Sequence, residues 1–198
     1  MKFSFLLLIC CFVVPLSGQG FDASILGGIS AAQIDGDDLA GFNKLGLHGG
    51  LKVGYFLKPK LHLSTELLYS QRGSSASVSF GSPIESTNID LKYLELPVIV
   101  SFMDWYVEDS YHKVRAEVGL SYAYQFQASA QNSFFEGNED LFATSDVSFL
   151  AGLAYRFNER LGVNARYTRS IIPLFNDPNV FPRGLFGYFV TFRVEYHL

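Results

Sequence analysis

The sequence contains only two cysteines, Cys10 and Cys11, and both lie close to its start. If this first segment is removed on export, the remaining chain contains no thiol at all. A disulfide framework, a cysteine nucleophile and a thiolate metal site are then all excluded.

Charge is also scarce, because charged residues make up 17% of the chain and aromatic residues 16%. An ordinary soluble domain is roughly a quarter charged. This balance favours a β-rich protein or one that meets lipid. The formal net charge of −4 lacks the basic excess of a nucleic-acid binder, so we predict no nucleic-acid partner.

Long hydrophobic runs are missing too. After Lys2, the run "FSFLLLICCFVV" is shorter than the roughly 20 apolar residues of a transmembrane helix. It is followed by the small residues of "PLSGQG", as in a secretory signal peptide. We predict a cleaved signal peptide over residues 1–18 and a single domain over residues 19–198. A buried N-terminal helix and a lipoprotein anchor on one of the cysteines are the alternatives.

The rest of the chain alternates apolar and polar residues, as half-exposed β-strands do. The last segment, "LFGYFVTFRVEYHL", shows the pattern clearly. One segment is irregular, because its apolar residues change phase between Leu91 and Leu94 and it contains Pro97; both features predict a β-bulge or local break. The eight predicted strands cover 24–34, 44–57, 61–71, 88–103, 111–129, 145–157, 161–171 and 185–198.

The connections between these segments alternate in length. Tight turns at 58–60 and 158–160 and a moderate connection at 104–110 separate longer polar stretches. Outer-membrane barrels have an even number of strands, short periplasmic turns and long extracellular loops. We therefore predict an all-β, eight-stranded, antiparallel, up-and-down transmembrane β-barrel with both termini in the periplasm.

A soluble barrel such as a lipocalin would place the apolar face inside. We favour the opposite arrangement because the aromatics of the apolar face cluster near strand ends, like the girdles of membrane barrels. An eight-stranded barrel is only wide enough inside for side chains to fill, so mixed charges there would pair and leave a lumen that does not conduct. The predicted lumen charge network comprises Lys52, Glu66, Glu95, Arg115, Glu117, Arg156, Arg166, Arg193 and Glu195.

Two stretches carry a family resemblance. "ELLYSQRGS" (66–74) and "YLELPVIVSF" (93–102) resemble the paired motifs of the PorT-like outer-membrane β-barrel proteins of Bacteroidetes, and residues 27–51 are similar to the first hairpin of that family. The resemblance implies an outer-membrane location. It also implies, as one alternative, an accessory role in type IX protein secretion, to which the namesake branch is linked.

No catalytic pattern stands out. A G-x-S-x-G nucleophile elbow is missing from the sequence. We interpret His48 as a hydrogen-bonding group of the lumen, and Glu66 and Glu95 as halves of ion pairs. The acidic stretch 35–38 lacks the ligand spacing of a calcium loop. The loop aromatics could either contact a partner or pack into the barrel mouth: Phe134, Phe135, Phe142, Phe175 and Phe181.

We therefore predict no enzyme, no cofactor and no metal. The predicted function is structural or interaction-based, exerted through four extracellular loops, and the protein is not a large-pore channel. Expected partners are outer-membrane lipid, the barrel-assembly machinery during biogenesis, and an unknown envelope or secretion protein. A small barrel enzyme acting at the outer membrane is the second alternative to this function.

Overall fold

The computed structural model describes residues 21–35, 44–75, 88–107, 110–131, 142–174 and 184–198. The predicted signal peptide and most of each predicted long loop lie outside these residues. Within them, no helix has the length and apolar character needed to cross a bilayer.

The described residues form eight strands: β1 (Phe21–Asp35), β2 (Lys44–Lys58), β3 (Leu61–Ser75), β4 (Asn88–Val107), β5 (Tyr111–Gln131), β6 (Ser145–Arg156), β7 (Leu161–Ser170) and β8 (Phe186–His197). They are antiparallel and close into a barrel in which each strand pairs with its neighbours in sequence and β1 pairs with β8. This arrangement confirms the predicted fold class. We call the end with the short β2–β3, β4–β5 and β6–β7 connections the turn end, and the opposite end the loop end.

The alternating sequence places apolar side chains on the outer surface and polar ones in the lumen. In β5, for example, Val118 is 60% exposed whereas Ser121 is 2% exposed. A soluble barrel would have the reverse arrangement, because water would face the outer wall. The outer wall is therefore suited to hydrocarbon.

Aromatic side chains form a ring near each end of this wall. Phe21 and Tyr55 are in contact at the turn end, with ring centroids 4.8 Å apart. Tyr69 and Phe126 lie 6.2 Å apart towards the loop end. Such paired girdles mark the two membrane–water interfaces of a transmembrane barrel.

The β-bulge predicted between Leu91 and Leu94 of β4 lies in the neighbouring strand β5. The β4–β5 pairing shifts between Lys92 and Tyr93, which pair with Gln127 and Gln125. The extra residue is Phe126 of β5, so the bulge belongs to β5. From Ile89 to Asp104 the alternation along β4 is unbroken.

The apolar residues of β4 change phase because the lumen itself becomes apolar near the loop end. Ile89, Leu91 and Tyr93 all point inward and are buried. The predicted break at Pro97 is present in the β3–β4 ladder, where the pairing passes from Thr65↔Val98 to Leu68↔Glu95. At this interruption the Pro97 carbonyl accepts a hydrogen bond from a side chain, the Thr65 hydroxyl, at 3.0 Å.

Candidate functional site in the barrel lumen

The middle of the lumen is filled by a continuous group of ion pairs, here called the lower cluster. At its centre, both carboxylate oxygens of Glu66 accept hydrogen bonds. Arg166 donates at 2.8 and 2.9 Å, and Arg193 donates at 2.9 Å. The lower cluster consists of Lys52, Glu66, Arg115, Glu117, Arg166, Arg193 and Glu195.

Glu117 extends this cluster towards the turn end. It accepts hydrogen bonds from Arg115 at 2.7 Å and from Arg166 at 3.0 Å, and the Lys52 ammonium lies 3.5 Å away. Arg115 in turn donates to Glu195 at 2.6 and 2.7 Å. Because each charge has at least one partner of opposite sign, pairing offsets part of the cost of desolvating these buried ions, and removal of one partner would leave a buried charge uncompensated.

A second group, the upper cluster, lies nearer the loop end and consists of Arg72, Glu95 and Asp146. Arg72 donates to Glu95, and to Asp146 at 2.9 Å. Its guanidinium also lies 4.0 Å from the ring centroid of Phe189 and 4.9 Å from that of Tyr93. Arg72 therefore contacts both the charged part of the lumen and the aromatic rings of Tyr93 and Phe189.

Arg72 and Asp146 were missing from the predicted network. The period-two alternation of β3 could have identified Arg72, because the inward positions Glu66, Leu68 and Ser70 continue in steps of two to residue 72. The predicted third strand ended at Gln71, one residue too early. Asp146 shares the inward phase of Ser148, whose hydroxyl donates to it at 2.8 Å.

Of the nine predicted lumen residues, the structure places eight inside these two clusters. Arg156 is the exception, because β6 ends there and its side chain lies at the turn end. It donates to the Glu159 carbonyl at 2.5 Å and its guanidinium lies 5.5 Å from the Tyr111 ring centroid. Among the described residues, Arg156 therefore forms no ion pair with a member of the two clusters.

The charges of the two clusters balance, since five cations face five anions. In the order of the chain, the cations are Lys52, Arg72, Arg115, Arg166 and Arg193, and the anions are Glu66, Glu95, Glu117, Asp146 and Glu195. A balanced set of buried ions is electrically satisfied by its own members. Such a lumen does not need a counter-ion from outside.

On the turn-end side of the lower cluster, three residues are arranged much like the catalytic triad of a serine hydrolase. They are Ser24, His197 and Glu195. The Ser24 hydroxyl lies 2.8 Å from His197 Nδ1, and His197 Nε2 lies 3.7 Å from a Glu195 oxygen. Ser24 is however only 1% exposed, and Glu195 is already bound by Arg115. A substrate cannot reach this hydroxyl, so we interpret the three residues as polar packing.

His62 fills the lumen beside them. Its Nε2 lies 2.5 Å from an Asp22 oxygen, and the ring is fully buried. Gly54 makes this possible, because a Cβ at that position would overlap the His62 ring. His48, interpreted from the sequence as a lumen hydrogen-bonding group, is buried and lies 3.2 Å from the Ser70 hydroxyl.

An apolar cap closes the lumen at the loop end. Phe142 is 3% exposed in this group, so this one loop aromatic packs into the barrel mouth; Phe134, Phe135, Phe175 and Phe181 lie outside the described residues. Between the cap and Arg72 is a cavity of about 10 Å³, roughly enough for one water molecule. The cap consists of Ile89, Leu91, Tyr93, Ala123, Phe142 and Leu185.

Residues 17–176 match the protein family described as "Outer membrane protein beta-barrel domain". The chain belongs to this family. It is therefore an outer-membrane β-barrel protein, as the lipid-suited outer wall indicates. Among curated protein sequences no match was found.

Solved outer-membrane barrels share the architecture. The attachment invasion locus protein Ail of Yersinia pestis is 14% identical, with 91% of this chain and all of that chain covered and a TM-score of 0.51. OprG of Pseudomonas aeruginosa is 13% identical, with coverages of 90% and 96% and a TM-score of 0.47. Likeness at this level of identity concerns the fold alone.

Proposed function

We propose that this outer-membrane β-barrel protein is a closed scaffold that presents its long loops to a binding partner. The observation that carries the proposal is the filled lumen, in which two charge-balanced clusters lie beneath an apolar cap. A barrel filled in this way has no continuous aqueous path. Its functional surface is then at its ends, and the longer connections are all at the loop end.

The orientation proposed for this scaffold puts the turn end and both chain termini in the periplasm and the loops outside the cell. Support comes from the alternation of short and long connections and from the export signal predicted at residues 1–18. The barrel-assembly machinery would handle the chain during biogenesis.

Photo-crosslinking in intact cells tests this function. A crosslinking amino acid is placed in turn in the connections 36–43, 76–87, 132–141 and 175–183, and a matched control at Asn158 in the exposed β6–β7 turn. We expect a defined protein product from at least one loop and not from Asn158. Failure of every loop position to give such a product, with normal barrel insertion, would contradict the proposal.

The resemblance of 66–74 and 93–102 to the PorT-like motifs supports a narrower alternative, an accessory role in type IX secretion. Deletion of the gene would then block export of cargo that bears the type IX signal. Normal export in the deletion strain would eliminate this role without affecting the scaffold proposal.

An enzymatic role is the least favoured alternative. The one hydrolase-like arrangement that we find among the described residues has a serine shielded from solvent and a carboxylate engaged by Arg115. Substitution Ser24→Ala is expected to leave every envelope activity unchanged. A hydrolytic or acyl-transfer activity of the purified barrel that Ser24→Ala abolishes would reverse this conclusion.

A further inference from the structure

The turn end contains an open cavity of about 710 Å³ that the closed-scaffold function does not use. It lies between the β2–β3 turn, the adjoining ends of β4 and β5, and the last residue of β6. This volume is within the range of small-molecule sites in proteins. We call it the turn-end vestibule; its lining includes Phe56, Lys58, Lys60, Tyr106, Tyr111 and Arg156.

The charges that line the vestibule are cationic. Lys58, Lys60 and Arg156 all face it, and no carboxylate lines it among the described residues. Lys60 is paired with Asp104 at 2.7 Å. Lys58 is exposed and lines the vestibule, and no ion pair of Lys58 is found within the described part of the chain.

Arg156 is also incompletely satisfied. Its Nη2 donates to the Glu159 carbonyl at 2.5 Å, but its Nε is buried and has no hydrogen-bond acceptor among the described residues. Buried donors in native proteins are nearly always paired, so each exception calls for an explanation. Arg156 also lines the vestibule, and no ion pair of its guanidinium is found among the described residues. A guanidinium fork is suited to an oxyanion, so the part of Arg156 that faces the vestibule can contact one.

The location of the vestibule, next to exposed aromatic side chains, indicates which class of oxyanion it would meet. Trp105 and Tyr106 are 60% and 54% exposed beside the vestibule, and exposed aromatic rings of this kind lie at the level of lipid headgroups. Phosphate is the abundant oxyanion at that depth. The aromatic part of the lining suits the uncharged remainder of a headgroup.

We propose that the turn-end vestibule binds a phosphate ester, with Lys58 and Arg156 as its cationic contacts and the lipid headgroup as its source. Phe56 and Tyr111 border the uncharged part of the ligand. The site lies at the end of the barrel opposite the long loops, so it is independent of loop-mediated binding.

Trp105 is the only tryptophan of the chain, and its emission therefore reports on this end of the barrel. The full mature chain, folded in a maltoside detergent that carries no phosphate, is titrated with dihexanoyl phosphatidylglycerol. Inorganic phosphate and glycerol 3-phosphate are titrated separately. We expect a saturable change with the phospholipid and at least tenfold weaker binding of the two soluble phosphates.

The Lys58→Gln/Arg156→Gln variant should weaken phospholipid binding at least tenfold. Lys92→Gln, which removes one charge near the loop end, serves as the control and should bind like the wild type. Heat-modifiable gel migration checks folding, and Lys58→Gln alone, expected to weaken binding several-fold, replaces the double variant if that one does not fold.

The outcomes separate the possible sources. Equal affinity for glycerol 3-phosphate and the phospholipid would show that the site exists and that its ligands are free phosphate esters, not lipid headgroups. Absence of a saturable change with all three probes would overturn the proposal, and so would unchanged affinity of the folded Lys58→Gln and double variants.

Discussion

The two halves of the lumen are filled differently, although the same eight strands line both. Towards the turn end the lower cluster is a network of ions in which Glu66 and Glu117 each accept hydrogen bonds from two arginines. At the loop end the apolar cap has aliphatic and aromatic side chains around Leu91 and Leu185. Ion pairs need a fixed geometry to offset desolvation, whereas apolar packing needs mainly volume.

The lower cluster and the apolar cap therefore have different structural roles. We infer that the lower cluster favours one register, because moving one strand would leave a buried charge unpaired. The cap fills the lumen at the loop end, and its member Phe142 lies where the chain returns from a long connection. Arg72 belongs to both regions, since it pairs with Glu95 and lies against Phe189.

The largest effect is expected from Glu66→Ala, which leaves Arg166 and Arg193 without their central acceptor. Breaking a buried pair by removing one partner should lower the free energy of unfolding by about 4 kcal/mol. Urea unfolding of the barrel in lipid vesicles measures it. Glu159→Ala, in the exposed β6–β7 turn, is the control, and an equal effect of the two substitutions would show that Glu66 is not paired as described.

Glu95→Ala should destabilise the barrel less, by about 3 kcal/mol. Arg72 keeps its contact with Asp146 in this variant, and the Ser121 hydroxyl, which donates to Glu95 at 2.7 Å, loses only one bond. The same urea titration measures the change. A neutral result would place Glu95 in contact with water.

The sequence pattern was sufficient to predict the strands and most of the charged lumen, because alternation assigns each residue to one wall. Lys52, Glu117 and Arg193 could be assigned to the lumen in this way from the sequence alone. Pairing partners could not be assigned, since Glu66 and Arg193 lie far apart in sequence and meet only when the barrel closes.

The apolar cap could not be predicted from the same rule. Ile89 and Leu91 are apolar residues at inward positions, where the alternation predicts polar ones. The pattern therefore indicated a β-bulge in β4. Arg156 also has inward phase, but β6 ends there, and its guanidinium contacts the Glu159 carbonyl and the Tyr111 ring at the turn end. Alternation predicts which wall a residue faces, not what surrounds it at a strand end.

Leu91→Ala tests the cap directly. Leu91 is 1% exposed, and its truncation should lower the free energy of unfolding by about 2–3 kcal/mol by leaving a cavity. Leu51→Ala on the lipid-facing wall is the matched control and should have a clearly smaller effect. Equal effects in urea unfolding would mean that the cap is not packed.

Gly54→Ala should have the smallest effect on stability, about 1–2 kcal/mol, because the new methyl group overpacks the space of the His62 ring. The double variant Gly54→Ala/His62→Ala removes the overlap with the His62 ring and leaves only the close approach to Asp22 Oδ1, so the two substitutions should be non-additive in a mutant cycle. Simple additivity of their unfolding free energies would show that the two residues are not in contact.

Conductance of the folded protein in planar lipid bilayers tests the central claim most directly. If the ion-pair clusters and the apolar cap fill the lumen, insertion should produce no stable open-channel steps at moderate voltage. Large, long-lived conductance steps from the wild-type protein would contradict a filled lumen and, with it, the closed-scaffold function.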